Sequence, residues 1–523
     1  MFRTRCCLLV STAPNRAASG VIAGLGLALA IAVAAPAAAE MAPGPSSAAA
    51  DRQCRAFLGR TFEGATVTKA TLVAASANTD EFCAIRAEMP RDLDFEVRMP
   101  THWNRRTVFQ GGGGFDGNVA SPVQIAPFSD RSAGSYATIS TNHGHNEATT
   151  PGASFALDVE MLAEYAYLSV PRVLAPARMI LRARYGDTFP KTKMIYEGCS
   201  GGGRQGLIQA QRFPDLFDGI ISRAPANAYT PQFLWYHTVA AQQARPGGAL
   251  TVTKADAIGR AVMAKCDPLD GLKDGIISRP DACKFDPAEL SCNGPETDSC
   301  LTPGQVETAR AYYAPTNIAN GRYVWPGFMP GGESARAWLM PNGHYQNFLD
   351  EGYTKYMVAR NPDIDPLRVD PAGYSARLDY LVSLIDAVDP DLSRFKAHGG
   401  KVILWTGTSD WLITANNATA YYQSVVATAG GPAAADEFIE YYTAPSVQHC
   451  AGGTGADLVD LAGPMFDWLE KGIRPSSTTI IARQSSVPAG AAPITRPLCQ
   501  YPKYPKFLGG DPNVAASFAC NAP

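Results

Sequence analysis

The amino-acid sequence predicts an α/β fold, and three observations carry that prediction. Residues 193–206 show an apolar strand, a glycine-lined turn and the start of a helix, in that order. The turn contains the pattern Gly-x-Ser-x-Gly around Ser200. Upstream, the apolar stretch 107–110 leads into a run of four glycines. This combination is typical of the α/β-hydrolase fold, in which a sharp turn called the nucleophile elbow presents a serine above the sheet.

Ser200 is therefore the candidate nucleophile. The alternative is an ordinary serine in a glycine-rich turn, since a five-residue pattern also occurs by chance. The glycine run supplies the second part of such a site, because bare backbone N–H groups can hold a developing oxyanion. We predict that Gly201, which follows the serine, and either Gly112 or Gly113 donate these N–H groups. For the run alone, the alternative is a flexible turn.

Length and composition limit the classes of partner. At 523 residues the chain exceeds the usual size of a single core, so a large insertion or a second domain is expected. Hydrophobic residues make up 46% of the chain and charged residues 18%, with a net charge of −3. This balance gives no sign of a nucleic-acid interface or a polybasic membrane patch, and favours a small neutral or lipophilic partner.

The N-terminus has the pattern of an export signal. Arg3, Arg5 and Arg16 precede an apolar stretch from 21 to 35, which ends in small residues of the Ala-x-Ala type. We predict a signal peptide over residues 1–39 and a secreted or periplasmic protein. A membrane anchor is the alternative, but it needs about 20 consecutive apolar residues. No later stretch is long and apolar enough to span a bilayer, so no membrane association is expected after cleavage.

Periodicity divides the rest of the chain into three parts. Residues 40–226 contain alternating strands followed by the elbow, and form the first part of the hydrolase domain. From 227 to 387 the pattern is irregular and rich in Gly, Pro and aromatic residues, and strand periodicity returns near residue 400. Long insertions in compact domains are commonly functional. We predict that 227–387 is an inserted lid domain, and that 388–523 completes the hydrolase domain.

The serine needs a base, and the base needs an acid, which α/β-hydrolases supply in the order Ser, Asp, His. His449 is singled out by its neighbour Cys450. If Cys199 bonds Cys450, their Cα atoms lie within about 4.4–6.8 Å of each other, so Ser200 and His449 are close as well. Asp410 follows a predicted strand on a loop between the two. The rival candidates, which lie in the lid or precede that strand, are His237, His344, His398, Asp386, Asp389 and Asp391.

Twelve cysteines are present, and Cys6 and Cys7 fall in the predicted signal peptide. The rest form an even set in an oxidising compartment, so five disulfides are expected. Local spacing suggests the pairs Cys54–Cys83, Cys266–Cys283, Cys292–Cys300 and Cys499–Cys520. This leaves Cys199 and Cys450. The set allows on the order of a thousand pairings, so spacing alone leaves other connectivities open.

An acidic segment lies inside the predicted Cys266–Cys283 loop. Asp267, Asp270 and Asp274 fall within eight residues and are separated by glycines. Together with the carbonyls of Leu272 and Ile276, they could form an oxygen shell suited to Ca²⁺. It is not an EF-hand, because the twelfth position counted from Asp267 lacks a glutamate. The alternative is a solvated acidic turn.

Three motifs together resemble the tannase and feruloyl esterase family. They are Gly-Cys-Ser-Gly-Gly at 198–202 with a later Asp and His-Cys, Cys-Asp-x-x-Asp-Gly-x-x-Asp-Gly at 266–275, and Arg-Pro-Leu-Cys-Gln-Tyr-Pro at 496–502. The likeness extends from about Cys54 to Cys520.

The resemblance implies a triad of Ser200, His449 and Asp410, with Cys199 bridged to Cys450. It also implies structural calcium held by Asp267, Asp270, Leu272, Asp274 and Ile276. Substrates of the family are esters of aromatic acids such as gallate, ferulate or monoesters of terephthalate. The expected reaction is acyl transfer to water through an acyl-enzyme. The alternatives are a secreted serine peptidase or acyltransferase on the same elbow, and a non-catalytic calcium-dependent binding protein.

Overall fold

A computed structural model describes residues 47–76, 79–119, 135–335, 345–487 and 492–523. The predicted signal peptide and the candidate His344 lie outside these residues. Residues 45–523 form one compact unit. In the described part of the chain, no helix has the length and apolar character needed to cross a membrane.

The described residues form seventeen strands. In chain order they are β1 Thr61–Phe62, β2 Ala65–Val73, β3 Phe82–Met89, β4 Leu93–Pro100, β5 Trp103–Gln110, β6 Ser135–Thr141, β7 Met194–Cys199, β8 Gly219–Arg223, β9 Thr316–Ile318, β10 Tyr323–Trp325, β11 Lys401–Gly407, β12 Ile439–Ala444, β13 Ile481–Arg483, β14 Thr495–Pro497, β15 Cys499–Gln500, β16 Tyr504–Phe507 and β17 Phe518–Asn521.

The described residues also form thirteen α-helices. They are α1 Ser47–Arg55, α2 Val159–Ala163, α3 Ser169–Tyr185, α4 Gly201–Arg212, α5 Tyr229–Gln243, α6 Val252–Cys266, α7 Pro303–Tyr313, α8 Tyr345–Gly352, α9 Ser375–Ile385, α10 Ser393–Ala397, α11 Ala415–Ala429, α12 Pro432–Ala435 and α13 Ala462–Lys471.

An eleven-stranded sheet forms the centre of the unit, in the order β1-β2-β3-β4-β6-β5-β7-β8-β11-β12-β15. The strands from β1 to β4 are antiparallel, as their alternating sequence predicts, and β4 pairs antiparallel with β6. The strands from β6 to β12 run parallel. In a parallel sheet the carboxyl ends of the strands share one edge, where ligands commonly bind. The elbow, which follows β7, lies at that edge.

Successive residues of the central strands point to opposite faces of the sheet and pack into different cores. On β7, Tyr196 joins a cluster with residues of α3, α4 and α11, whereas Ile195 joins a cluster with residues of α13. Both side chains are fully buried. Covering both faces with helices is the arrangement expected for a parallel sheet.

The predicted lid, 227–387, follows β8 and precedes β11. Its sequence is irregular, yet it contains the five helices α5 to α9. These helices surround a third hydrophobic cluster, which includes the fully buried Trp235 and Trp325. The same cluster takes in Phe115 and Tyr165 from the first part of the chain. The lid therefore shares a core with the loops beside the glycine run.

Candidate active site

Ser200 lies in a sharp turn between β7 and α4. Its φ of 64° and ψ of −123° place it in a sparsely populated region, which costs on the order of 1–3 kcal/mol for a residue with a side chain. The neighbouring glycines make the turn possible. A Cβ on Gly198 would lie 2.6 Å from the carbonyl carbon of Gly202, and a Cβ on Gly202 would lie 2.5 Å from the oxygen of Gly112. The strand, turn and helix occur as the sequence predicts.

A buried ion pair lies directly below the elbow. The Arg223 Nε is 2.7 Å from the Glu197 Oε1, and both side chains are almost completely buried. Burial raises the pKa of Glu197, and the Arg223 guanidinium opposes that rise. The Arg223 carbonyl also accepts the Ser200 N–H at 3.0 Å. This pair was not predicted from the sequence, although a charged residue inside each of two apolar strands is a signal for it.

His449 and Asp410 are in direct contact. The His449 Nδ1 lies 2.8 Å from the Asp410 Oδ2. The other carboxylate oxygen accepts the backbone N–H groups of Leu412 and Ile413 at 2.9 and 2.8 Å. Asp410 is 3% exposed, so its orientation is fixed by these three hydrogen bonds. A buried acceptor on Nδ1 leaves the Nε2 of the ring available to a nucleophile.

The rival candidates make other contacts. The Asp386 carboxylate accepts hydrogen bonds from Thr230 and belongs to the lid core. The Asp389 side chain accepts the Asp391 N–H within a turn. Asp391 accepts the Ser393 N–H in the same way. His237 Nε2 lies 3.0 Å from the Val369 oxygen, and its Nδ1 lies 3.5 Å from the buried Asp350 carboxylate within the predicted lid. His398 Nδ1 lies 3.6 Å from the exposed Asp215.

A disulfide joins the two sides of the site. Cys199 and Cys450 are bonded with a Cα separation of 6.0 Å, although 251 residues separate them in sequence. Ser200 follows one half-cystine and His449 precedes the other. The four pairs suggested by local spacing are also present: Cys54–Cys83, Cys266–Cys283, Cys292–Cys300 and Cys499–Cys520.

The glycine run lies against the N-terminus of α4, but its N–H groups are not equivalent. The Gly112 N–H donates to the Gln205 Oε1 at 3.3 Å, and the Gly113 N–H donates to the Asp116 Oδ1 at 2.7 Å. Both predicted donors are therefore already engaged by side chains. A Cβ on Gly201 would lie 3.5 Å from the Gly114 nitrogen. Gly114, which was not among the predicted donors, also lies beside the start of α4.

The acidic segment, residues 267–278, contacts the segment that carries His449. The Ile277 N–H donates to the Ser446 Oγ at 2.8 Å, and the Thr454 Oγ1 donates to the Gly275 carbonyl at 2.6 Å. Ser446 and Thr454 flank His449 on either side. The acidic segment, which the sequence predicts to be part of the lid, therefore lies against the loop that carries His449.

The acidic segment offers carboxylate and carbonyl oxygens, which are the ligands that Ca²⁺ prefers. Asp267 and Asp270 are buried, and burial raises the pKa of Asp270, with a further contribution from the carboxylates of Asp274 and Asp267. However, the Asp274 Oδ2 is 2.6 Å from Arg496, and in the described ranges no group of three or more His, Cys, Asp or Glu side chains is arranged to hold a metal ion.

Comparison with known proteins gives a consistent result. A family model described as "Tannase and feruloyl esterase" matches residues 79–521. Mono(2-hydroxyethyl) terephthalate hydrolase of Piscinibacter sakaiensis is 32% identical over 510 residues, covering 83% of this chain and 82% of that protein. A probable feruloyl esterase B-2 of Aspergillus terreus is 29% identical over 487 residues, covering 90% and 87%.

Among solved structures, feruloyl esterase B from Aspergillus oryzae superposes with a TM-score of 0.79 at 25% identity. The superposed region covers 90% of this chain and 100% of the feruloyl esterase chain. This similarity confirms the predicted α/β-hydrolase fold, and the family model spans most of the chain. The chain therefore belongs to the tannase and feruloyl esterase family, and it is a carboxylic ester hydrolase.

Proposed function

We propose that this protein is an exported serine esterase that hydrolyses esters of aromatic carboxylic acids through Ser200, His449 and Asp410. The observation that carries the proposal is the 2.8 Å contact between His449 and Asp410. His449 precedes Cys450, which forms a disulfide with Cys199, the residue before Ser200. A histidine that is oriented by a buried carboxylate and held near the serine turn supports an acyl-transfer triad.

The reaction follows from these positions. The His449 Nε2 takes the Ser200 proton as the hydroxyl attacks the ester carbonyl, and Asp410 holds the imidazole in the tautomer that permits this. Backbone N–H groups at the start of α4 and in the glycine run stabilise the oxyanion. His449 then protonates the leaving alcohol, and a water activated by the same ring hydrolyses the acyl-enzyme.

Two observations support an aromatic acyl group. The relatives are named for esters of ferulate and of terephthalate. Beside the glycine run, Phe115 packs against Phe348 of the lid with ring centroids 5.8 Å apart, and the Phe348 side chain is 50% exposed. The exposed ring of Phe348, supported by the buried ring of Phe115, is suited to stack against the aromatic ring of a substrate.

The test is a substrate panel. Methyl gallate, methyl ferulate and mono(2-hydroxyethyl) terephthalate would be compared with p-nitrophenyl acetate and with a peptide amide, using Ser200→Ala as the blank. We expect hydrolysis of at least one aromatic ester at a higher kcat/KM than p-nitrophenyl acetate, and none in the blank. Preferential cleavage of the peptide amide would instead indicate a serine peptidase on the same elbow.

Export is the second part of the proposal. Five disulfides are expected only in an oxidising compartment, and they agree with the charged and apolar pattern of residues 1–39. Expression with the native N-terminus in a Gram-negative host should give a periplasmic or secreted protein whose first residue is Glu40. An intact N-terminus on a membrane-bound product would contradict this.

We also propose that the acidic segment binds structural calcium through Asp267, Asp270 and Asp274 and the carbonyls of Leu272 and Ile276. Support comes from the buried carboxylates and from the raised pKa of Asp270. An ion there would supply positive charge to a cluster with one ion-paired arginine, Arg496. A non-catalytic calcium-dependent binding protein is disfavoured because all three triad positions are filled. Elemental analysis of protein dialysed against calcium-free buffer tests the site directly.

A further inference from the structure

Three side chains contact the glycine run beside Ser200: Gln205 accepts the Gly112 N–H, the Tyr165 hydroxyl donates to the Gly114 carbonyl, and Asp116 contacts Gly113. The Asp116 Oδ1 accepts the Gly113 N–H at 2.7 Å, and the Asp116 backbone N–H donates to the Gly113 carbonyl at 2.9 Å. Asp116 has a φ of 63°, a left-handed conformation that Asp tolerates better than most residues. In this conformation Asp116 forms hydrogen bonds with the peptide units on both sides of Gly113.

The orientation of the next N–H follows from peptide geometry. In a trans peptide, the N–H points opposite to the carbonyl of the same unit. Because the Gly113 carbonyl points at the Asp116 N–H, the Gly114 N–H points away from Asp116. In the described part of the chain, the Gly114 nitrogen donates to no acceptor, and neither does the Gly201 nitrogen. These two N–H groups are thus free to face a common oxyanion.

Gln205 connects this turn to the elbow helix. Its Nε2 donates to the Asp116 Oδ2 at 2.7 Å, while its Oε1 accepts the Gly112 N–H at 3.3 Å and the Tyr196 hydroxyl at 3.0 Å. Gln205 is 2% exposed and Tyr196 is fully buried. The contacts therefore extend from β7 through α4 to the glycine run without a break.

The side chains of Asp116 and Gln205 have fixed roles as hydrogen-bond donors and acceptors. An ionised carboxylate only accepts, and the amide of Gln205 must then donate to it and accept on its other side. Loss of contact with water raises the pKa of Asp116 to about 7, while Arg204, the Gly113 N–H and Gln205 oppose that rise. At pH 8 the carboxylate is mainly ionised. A Cβ on Gly112 would lie 1.8 Å from the Asp116 Oδ1, so the carboxylate packs directly on the glycine backbone.

We infer that Asp116 and Gln205 are positioning residues, which hold the glycine run so that the Gly114 N–H joins the Gly201 N–H at the oxyanion. The inference rests on the proposed serine mechanism. Neither residue touches the reacting atoms, so their loss should reduce the stabilisation of the transition state rather than the binding of the ester.

The hydrogen-bonding roles provide a reciprocal test. In Asp116→Asn, the new amide nitrogen faces the Gln205 nitrogen, so two donors meet. In Gln205→Glu, two carboxylates meet. In the double variant Asp116→Asn, Gln205→Glu, the introduced amide nitrogen donates to one oxygen of the introduced carboxylate, whose other oxygen accepts from Gly112 and Tyr196. Every contact is then restored, with the charge moved from one side chain to the other.

All four proteins would be assayed at pH 8 on the best ester of the panel, with Asp391→Asn as the control. Asp391 is an exposed turn residue whose side chain likewise accepts a backbone N–H. We expect each single variant to lose about tenfold or more in kcat with KM within about twofold, since small displacements at an oxyanion donor are costly. The double variant should recover most of that loss, and the control should match the wild type.

A second measurement separates positioning from folding. Hydrogen exchange in the peptide that spans 108–117 should be faster in each single variant and should return toward the wild-type rate in the double variant. Single variants with wild-type kcat, or a double variant no better than the worse single variant, would overturn the inference and leave the serine mechanism intact. A wild-type protein that hydrolyses no ester, like Ser200→Ala, would overturn both.

Discussion

The two sides of the candidate active site are held in different ways. The serine side belongs to the sheet: β7 lies between β5 and β8, and the Glu197–Arg223 pair lies beneath the turn. The histidine side is a loop after β12, held by the Cys199–Cys450 bridge, the Asp410 contact and two hydrogen bonds with the acidic segment, one donated by each side.

This difference separates folding from catalysis. The geometry of the serine side follows from the packing of the core, so damage there should first lower stability. The histidine side depends on a few separate links, each of which can be removed without opening the core. We therefore expect substitutions on the histidine side to lower kcat far more than they lower the free energy of unfolding.

The largest effect is expected for Asp410→Asn. The Asn oxygen can still accept the N–H groups of Leu412 and Ile413, but its amide faces the His449 Nδ1 and favours the wrong tautomer. By analogy with serine proteases, kcat should fall by about 10⁴. The melting temperature should stay within a few degrees, measured by circular dichroism on the samples used for kinetics. A large loss of stability would mean that Asp410 supports the fold rather than the base.

Removal of the Cys199–Cys450 disulfide should have the second-largest effect on kcat. The Cys199→Ala, Cys450→Ala variant loses a closure of 251 residues, worth about 5.5 kcal/mol in the entropic model. It should also lose about a hundredfold in kcat, because the serine and histidine sides shift relative to each other.

The matched control for the bridge is Cys54→Ala, Cys83→Ala, which removes a bridge of 29 residues between α1 and β3. That variant should lose about 3.6 kcal/mol in the same model, with an unchanged kcat at 25 °C. Equal kcat losses in the two double variants would mean that the bridge at the site has no local role. Peptide mapping under non-reducing conditions would verify both pairings first.

Arg223→Met tests the serine side. It leaves Glu197 buried without its partner, which costs about 3–5 kcal/mol in the free energy of unfolding. Denaturant unfolding would measure this loss. Assayed well below its midpoint, the folded fraction should retain kcat within about threefold, because the backbone carbonyl at position 223 still accepts the Ser200 N–H. A collapse of kcat without a loss of stability would reverse the proposed distinction between the two sides.

A smaller effect is expected where the acidic segment contacts the histidine loop. Ser446→Ala and Thr454→Val each remove one hydroxyl and should lower kcat by several-fold, with KM nearly unchanged. Thr454→Ser keeps the hydroxyl and serves as the control, because a β-branched side chain at position 446 would be strained by the φ of 52° there. If Thr454→Ser loses as much activity as Thr454→Val, packing rather than hydrogen bonding accounts for the effect.

Chelation gives the smallest expected effect on catalysis. If calcium binds the acidic segment, excess EDTA should lower the melting temperature by several degrees, since an ion at a hundredfold its Kd adds about 2.7 kcal/mol. The activity should fall only a few-fold at 25 °C and return when calcium is added. A melting temperature that does not change in EDTA, together with no calcium by elemental analysis, would contradict the site.

The elbow was predictable from the sequence because its determinants are local: a strand, a turn lined by glycines and a helix within about fourteen residues. The role of Gln205 was not, because it depends on the rotation of α4 relative to a glycine run far upstream in the chain. For the same reason, the glycine run suggested Gly112 or Gly113 as donors, whereas the side chains of Gln205 and Asp116 engage both of them.

The lid shows a second limit of sequence patterns. Helix α5 is buried on nearly all sides, with residues such as Phe233, Trp235 and Tyr236 pointing in different directions. A helix without a polar face has no amphipathic period, so its sequence is read as irregular. The boundaries at 227 and 387 stay a prediction made from the neighbouring strands, and the helices between them were not predicted.

The Cys199–Cys450 bridge also changes what a protease could do to this molecule. The whole segment 227–387 lies inside the covalent ring that the bridge closes. A single cut in that segment would produce two polypeptides that remain attached at the active site. Such a nicked protein would migrate as one species without reductant and as two with it, and its nucleophile and base would stay tethered after cleavage.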